Sequence, residues 1–222
     1  MKIGRSRSRT MSNSMALTGQ PGSKDADRHE PTTKVIPLSE APGEREAWNR
    51  SSSVMYLWAV AERLFVTNSW QPSSKLRNAI LRLFGADIGE GVIFRPRTRV
   101  AFPWKLVIGA NSWIGEGVWI HNQNHLTIGA NAVISQDTFL TTGSHALRRD
   151  MALITSPIVI EDGVWVTSRC VVLGGTRIGT SAVIGPNSVV KGEIPPNTIW
   201  SGNPLAEHGT RFPVTLKEMG LS

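Results

Sequence analysis

From Ile88 to Val190 the chain repeats its hydrophobic positions every six residues. Aliphatic or aromatic residues fall at Ile88, Phe94, Val100, Ile108, Ile114, Ile120, Ile128, Ile134 and Leu140. The series resumes at Ile154 and runs through Ile160, Val166, Val172, Ile178, Ile184 and Val190. Four residues after most of these stands a small or β-branched residue, such as Val92, Thr98, Ser112, Ala132, Cys170 or Ala182. A helix cannot bury a six-residue period on one face, and a simple strand repeats every two residues. Short strands joined by tight corners, three to a coil, do bury it, and hexapeptide repeats of this kind mark a parallel β-helix.

The interruptions are as regular as the repeat. The steps from Val100 to Ile108 and from Ile120 to Ile128 are eight residues long, and a third from Leu140 to Arg148 returns Ile154 and Ile160 to register. Lying twenty residues apart, the insertions are expected to stack at one corner, with Arg148 the one inward position that is not apolar. Departures from plain packing gather at functional places. On this register Lys105, His125 and His145 would form a ladder on consecutive coils, about 4.8 Å apart.

Ahead of the repeat, Val54, Leu57, Trp58, Ala61, Leu64 and Phe65 follow helical spacing. A second helix places Leu76, Ala79, Ile80 and Leu83 inward and Lys75, Arg77 and Arg82 outward, until Gly85 stops it. Both are expected to cap the open end of the coil. The layout is therefore a disordered basic and polar tail (residues 1–50), capping helices (51–86), a β-helix (87–204) and a C-terminal tail (205–222).

Composition narrows the setting. With 222 residues, 40% hydrophobic and 18% charged, the chain is long enough for one domain and a tail. A single Cys excludes an internal disulfide framework and points to a reducing compartment. No apolar run reaches membrane-spanning length, and the basic start is followed by polar residues rather than a secretory leader's apolar stretch. The expected location is cytoplasmic. The net charge of +7 suits anions: a phosphorylated cofactor, a sugar-phosphate acceptor, or an acidic inner-membrane surface. No nucleic-acid-binding motif accompanies it.

Several stretches carry a family resemblance: LRLFGADIGEGVIFRP (81–96), FPWKLVIGANSWIGEGVWI (102–120), VISQDTFLTTGSH (133–145), IVIEDGVWVTSRCVVLGGTRIG (158–179) and IPPNTIWSGNP (194–204). They resemble the hexapeptide-repeat acyltransferases, most closely the O-acetyltransferases of colanic-acid and related exopolysaccharide biosynthesis. The resemblance implies a left-handed parallel β-helix shaped as a triangular prism. It also implies a homotrimer with active sites between subunits, acetyl-CoA as donor, a carbohydrate acceptor and no metal. The family's catalytic base maps onto His145. Its CoA-lining positions map onto Trp165, Ser168, Pro186, Lys191 and Gly192, with Arg211 near the pyrophosphate end; acceptor contacts fall at Asn122, Gln123 and His125.

Acetyl transfer from a thioester to an alcohol needs a base for the hydroxyl proton, and an imidazole titrating near neutral pH suits that task. Cys170 is the rival nucleophile, but at a small inward position a thiol packs as a hydrophobe. Two other functions stay open. One is a trimeric zinc enzyme of carbonic-anhydrase type using His121, His125 and His145; the other is a non-catalytic scaffold.

Overall fold

The structure, a computed structural model, describes residues 33–213; the expectations for residues 1–32 and 214–222 lie outside the described residues. From Asp87 to Ser201 the chain winds as a parallel coil with three faces. The first face stacks Ile88, Ile108, Ile128, Ile160, Ile178 and Ile194 in register. The second stacks Phe94, Ile114, Ile134, Val166, Ile184 and Trp200. The third stacks Val100, Ile120, Leu140, Val172 and Val190. All but Trp200, which is half-buried, are buried in one continuous core, so the six-residue period is the coil's inward row.

The remaining repeat positions make the corners. Ser112 Oγ donates to the Gly129 carbonyl at 2.7 Å and accepts from the Ala132 amide at 3.0 Å, which ties successive coils and explains an inward hydroxyl. Asn111, Asn131, Ser181 and Asn197 hold the corner between the first and second faces with φ of 54–61°. Among non-glycine residues, Asn adopts this left-handed conformation most readily. At Gly109 the constraint is close approach, because a Cβ there would lie 2.4 Å from the Ala130 amide nitrogen.

The third interruption differs from the expected one. After Thr141 the chain leaves the coil, and Gly143–His145 pairs antiparallel with Leu153–Thr155. It rejoins at Ile158–Ile160, which pairs with Leu126–Ile128. Ile154 is 45% exposed and Arg148 is exposed at the hairpin tip, so neither is an inward position. The excursion adds twelve residues to the eight-residue corner step (160 − 140 = 20; 20 − 8 = 12), and twelve is two repeats. The period alone therefore could not register the departure.

Two helices, α1 (Ser52–Ala61) and α2 (Ser74–Leu83), close the first coil. Their inward faces are chosen by hydrogen bonding as much as by hydrophobicity, since the first coil has an unpaired strand edge. Trp58 Nε1 donates to the Val100 carbonyl at 2.8 Å, Asn78 Nδ2 to Val92 at 2.7 Å, and Arg82 Nε to Ile88 at 2.9 Å. Arg77, expected outward, is fully buried and donates to the carbonyls of Val66, Asn68, Gln71 and Phe94. Leu76, Ala79 and Leu83, expected inward, are exposed. Leu57 and Leu64 are exposed too.

Glu62 accepts from the Val100 amide at 2.7 Å, and burial raises its pKa. A carboxylate with a raised folded pKa favours the native state most below its unfolded pKa, and that contribution is lost as pH rises through the folded value. Glu62→Gln keeps an acceptor and removes the charge. Its melting temperature relative to the parent is expected to rise between pH 4 and pH 7; an unchanged difference would mean that the charge carries no cost.

Both ends of the chain contribute more than the sequence suggested. Residues 36–50, assigned above to a disordered tail, form turns at Leu38–Glu40 and Arg45–Trp48 and are pinned to the coil. The Trp48 carbonyl accepts from Trp104 Nε1 at 3.0 Å and the Ala47 carbonyl from Lys105 Nζ. In the expected C-terminal tail, Ala206–Thr210 is a strand paired antiparallel with Thr198–Ser201.

Candidate active site

The hairpin Gly143–Thr155 stands at the corner between the third and first faces. Cross-strand pairs share a side of a two-stranded ribbon, and successive residues alternate sides. His145 pairs with Leu153 and Gly143 with Thr155, so all four face one side; Ser144 and Ile154 face the other. The first side opens on a cleft of about 390 Å³ whose lining includes Glu44, Lys105, Gln123, His125, Leu153 and Thr155. The second side opens on a smaller one of about 110 Å³, lined by Ser144, Ile154, Gly174 and Lys191 among others.

His145 is exposed, and its Nδ1 lies 2.8 Å from the Met151 carbonyl. A carbonyl only accepts, so Nδ1 carries a proton and, in the neutral imidazole, Nε2 keeps the lone pair. Met151 reaches this place in the left-handed conformation, φ 58°. No sequence rule marks a backbone carbonyl as an orienting group, which is why this partner was not legible beforehand.

Around the larger cleft, Gln123 is buried and its Nε2 donates to Glu44 Oε2 at 2.9 Å. Its Oε1 fills the space over Gly143, where a Cβ would come within 1.9 Å. Lys105 Nζ donates to the Gln123 carbonyl at 2.6 Å, and burial lowers its pKa. His125 is exposed on the cleft wall. Asn122, expected at the acceptor, spends its amide on the coil below: Oδ1 accepts from the Phe102 amide at 3.1 Å and Nδ2 donates to the Phe102 carbonyl at 2.8 Å. It builds the corner rather than reaching the cleft. Glu44 was missed, because a polar segment with one tryptophan gave no periodic signal.

The expected ladder does not form. Ile158 N donates to the His125 carbonyl at 3.1 Å, so the returning chain near Pro157 stacks on His125 and His145 stands away on the hairpin. His121 turns instead toward Thr141, with Nδ1 3.3 Å from its Oγ1, and burial lowers its pKa. Among the described residues His121, His125 and His145 do not gather into a metal-binding cluster.

Comparison with known proteins places this site. The family described as bacterial transferase hexapeptide (six repeats) matches residues 157–192. The candidate colanic acid biosynthesis acetyltransferase WcaF of Escherichia coli is 38% identical over 154 residues, covering 68% of this chain and 83% of that protein. The chain belongs to the hexapeptide-repeat acetyltransferases. Galactoside O-acetyltransferase of Escherichia coli is 30% identical over 146 residues, 64% of this chain and 72% of its own length. The crystal structure of a hexapeptide-repeat acetyltransferase from Vibrio cholerae, complexed with acetyl coenzyme A, superposes with a TM-score of 0.67. It is 27% identical and covers 78% of this chain and 100% of that one. The three-faced coil is thus the left-handed β-helix of this family.

The positions matched to the family's CoA-lining residues do not meet in one chain. Trp165 is on the second face, 44% exposed, with Nε1 donating to Ser135 Oγ at 3.0 Å. Ser168 and Pro186 occupy the following corner, and Ser168 Oγ lies 3.2 Å from Gln136 Oε1. Lys191 and Gly192 lie at the hairpin's corner, where Lys191 lines the smaller cleft and Gly192 has φ 90° with open space beside it. Arg211 is at the third corner, its Nη1 donating to the carbonyls of Gly163 and Ser181 at 2.7 and 3.3 Å. That nitrogen is a strut holding the C-terminal strand.

Cys170 is buried, its Sγ directed to the Gly185 carbonyl at 3.2 Å, and burial raises its pKa. A thiol held neutral makes a poor nucleophile. Cys170→Ala should keep nearly all acetyltransferase activity and lose about 1 kcal/mol of stability, the scale of deleting one buried heavy atom; a folded but inactive variant would require a covalent role for this thiol.

Proposed function

We propose that this chain is an acetyl-CoA-dependent O-acetyltransferase acting on a sugar hydroxyl of an exopolysaccharide precursor, with His145 as general base. The observation that carries the reading is the His145 Nδ1 contact with the Met151 carbonyl, which leaves Nε2 basic on the hairpin side that faces the larger cleft. The donor supplies an activated acetyl thioester. A cation at Lys191 beside the smaller cleft and the exposed indole of Trp165 suit its phosphates and its pantetheine arm. Nε2 takes the proton of the acceptor hydroxyl as its oxygen attacks the thioester carbonyl; the carbon–sulfur bond then breaks and the thiolate leaves. The larger cleft offers a sugar both acceptors and donors, including Glu44 and His125.

Release of free thiol from acetyl-CoA tests the reading against free, nucleotide-linked and lipid-linked sugars. Thiol release with at least one class is expected. None with any, from protein that binds acetyl-CoA, would favour the scaffold alternative.

The split of the CoA positions over separate edges is accounted for by a homotrimer with sites between subunits. Outward residues on the second face are apolar from end to end: Ile93, Trp113, Val133, Trp165, Val183 and Ile199. The third face presents Arg99 at its first coil and then Trp119, Phe139, Val171 and Val189. The first presents Asp87, Val107, Thr127, Val159, Arg177 and Glu193, a more polar row. A closed ring of three needs two different patches per subunit that fit each other, and the second and third faces supply them. Val171→Glu should give monomers by sedimentation velocity and abolish acetyl transfer. An active monomer would rule out a shared site.

A further inference from the structure

The outer surface of the helical cap fits neither a solvent-facing role nor a side-by-side trimer. Tyr56, Leu57, Val60 and Leu64 stand on one stripe of α1 and its continuation through Val66, and are 51–75% exposed. On the opposite side Trp58 and Val66 are buried in the core. A helix apolar on both sides is ordinarily enclosed, yet this one lies on the end of the prism with its outer stripe uncovered among the described residues. Elsewhere in the same cap Trp70 is 92% exposed and Leu83 77% exposed.

The exposed charge carried by the cap's own residues has one sign. Among residues 51–86 the exposed ionisable side chains are Arg63, Lys75 and Arg82, and the single carboxylate, Glu62, turns inward to Val100. Arg82 holds its guanidinium against the Ile88 and Gly89 carbonyls, so Arg63 and Lys75 are the freer cations. Of the neighbouring exposed carboxylates, Glu44 and Glu46 precede the cap, Asp87 belongs to the first coil, and Glu90 lines a cleft with Lys75 and Arg82. Aliphatic side chains, a Tyr and a Trp with only cations among them make the composition of a helix that lies in the headgroup region of an anionic bilayer. No helix among the described residues is long and apolar enough to cross a membrane.

We propose that the capping helices are a peripheral docking surface for anionic phospholipid bilayers, with Tyr56, Leu57, Val60, Leu64 and Trp70 entering the interface and Arg63 and Lys75 meeting lipid phosphates. The helices pack on the first coil, at the end of the prism. In a ring of three side-by-side prisms, three such surfaces would share one end, and linked weak contacts of this kind multiply.

Flotation of the full chain with vesicles tests this directly. The protein should float with phosphatidylcholine vesicles containing about 30% phosphatidylglycerol, each basic residue near an anionic surface adding attraction that salt weakens. It should float much less with pure phosphatidylcholine. Leu57→Gln/Val60→Gln/Leu64→Gln should bind anionic vesicles at least about tenfold more weakly, since side chains of this kind carry interfacial binding, with melting temperature and sedimentation coefficient kept. Arg63→Glu/Lys75→Glu, which leaves the apolar stripe intact, should lose the preference for anionic vesicles. Absence of flotation for the parent, flotation of either variant with anionic vesicles equal to the parent's, or a lipid-free change of association state in the triple variant would overturn the proposal; the last would make the stripe a contact between copies.

Discussion

Replacing His145 with alanine is expected to lower kcat by about 10²–10⁴-fold, the usual worth of a general base. The KM for acetyl-CoA should barely move, because the positions suited to the donor lie on the other side of the hairpin and on the second face. His145 is exposed, so the melting temperature should also hold. His145→Asn gives a sharper version: an amide can still donate toward Met151 but has no base to offer the hydroxyl. It should be as slow as the alanine variant. If asparagine restored most of the rate, the imidazole would be a positioning group and the base would have to be another residue, such as His125 on the cleft wall.

The second large effect is expected at a glycine with no functional group at all. A Cβ on Gly174 would lie 2.7 Å from the Thr142 carbonyl oxygen and 3.1 Å from that of Ser156. Those two residues are the feet of the hairpin, joined by the Ser156 amide donating to the Thr142 carbonyl at 3.0 Å. Backbone cannot swing aside as a long side chain can, so Gly174→Ala must lift the hairpin off the coil. A displacement near 1 Å away from the chemistry can cost about a hundredfold in rate, and a kcat loss of about 10–100-fold is expected with the coil core intact by circular dichroism. Unchanged kcat in a folded variant would mean that the seating of the hairpin does not set the rate.

What the sequence made legible was whatever repeats. The inward row from Ile88 to Val190, the burial of Cys170 and the corner carrying insertions all follow from a six-residue period and side-chain size. The hairpin escaped because its excess length equals two repeats, so Ile154 and Arg148 matched inward positions by number while standing outside the coil. The cap misled for another reason. An unpaired strand edge calls for donors, and Arg77 and Asn78 answer that need from positions a hydrophobic pattern assigns to solvent. Segment 36–50 has no pattern of its own; its order comes from the Lys105 ammonium and the Trp104 indole reaching carbonyls far away in sequence.

The candidate site divides along the same line. His145, Gln123 and His125 were named from the family resemblance, whereas the Met151 carbonyl beside His145 depends on how the hairpin turns and the Glu44 carboxylate beside Gln123 on a contact between distant segments. Asn122 illustrates the converse. It sits in the right stretch of sequence, yet both ends of its amide are bound to Phe102.

Direct transfer assisted by His145 is the claim on which the rest depends, and intact-protein mass spectrometry during turnover tests it most directly. Protein mixed with acetyl-CoA and a working sugar acceptor, then quenched within one turnover, should yield O-acetylated sugar in step with free thiol. The protein mass should stay unmodified throughout, and also when acceptor is omitted. An acetylated protein that forms without acceptor and decays when the sugar is added would contradict the account.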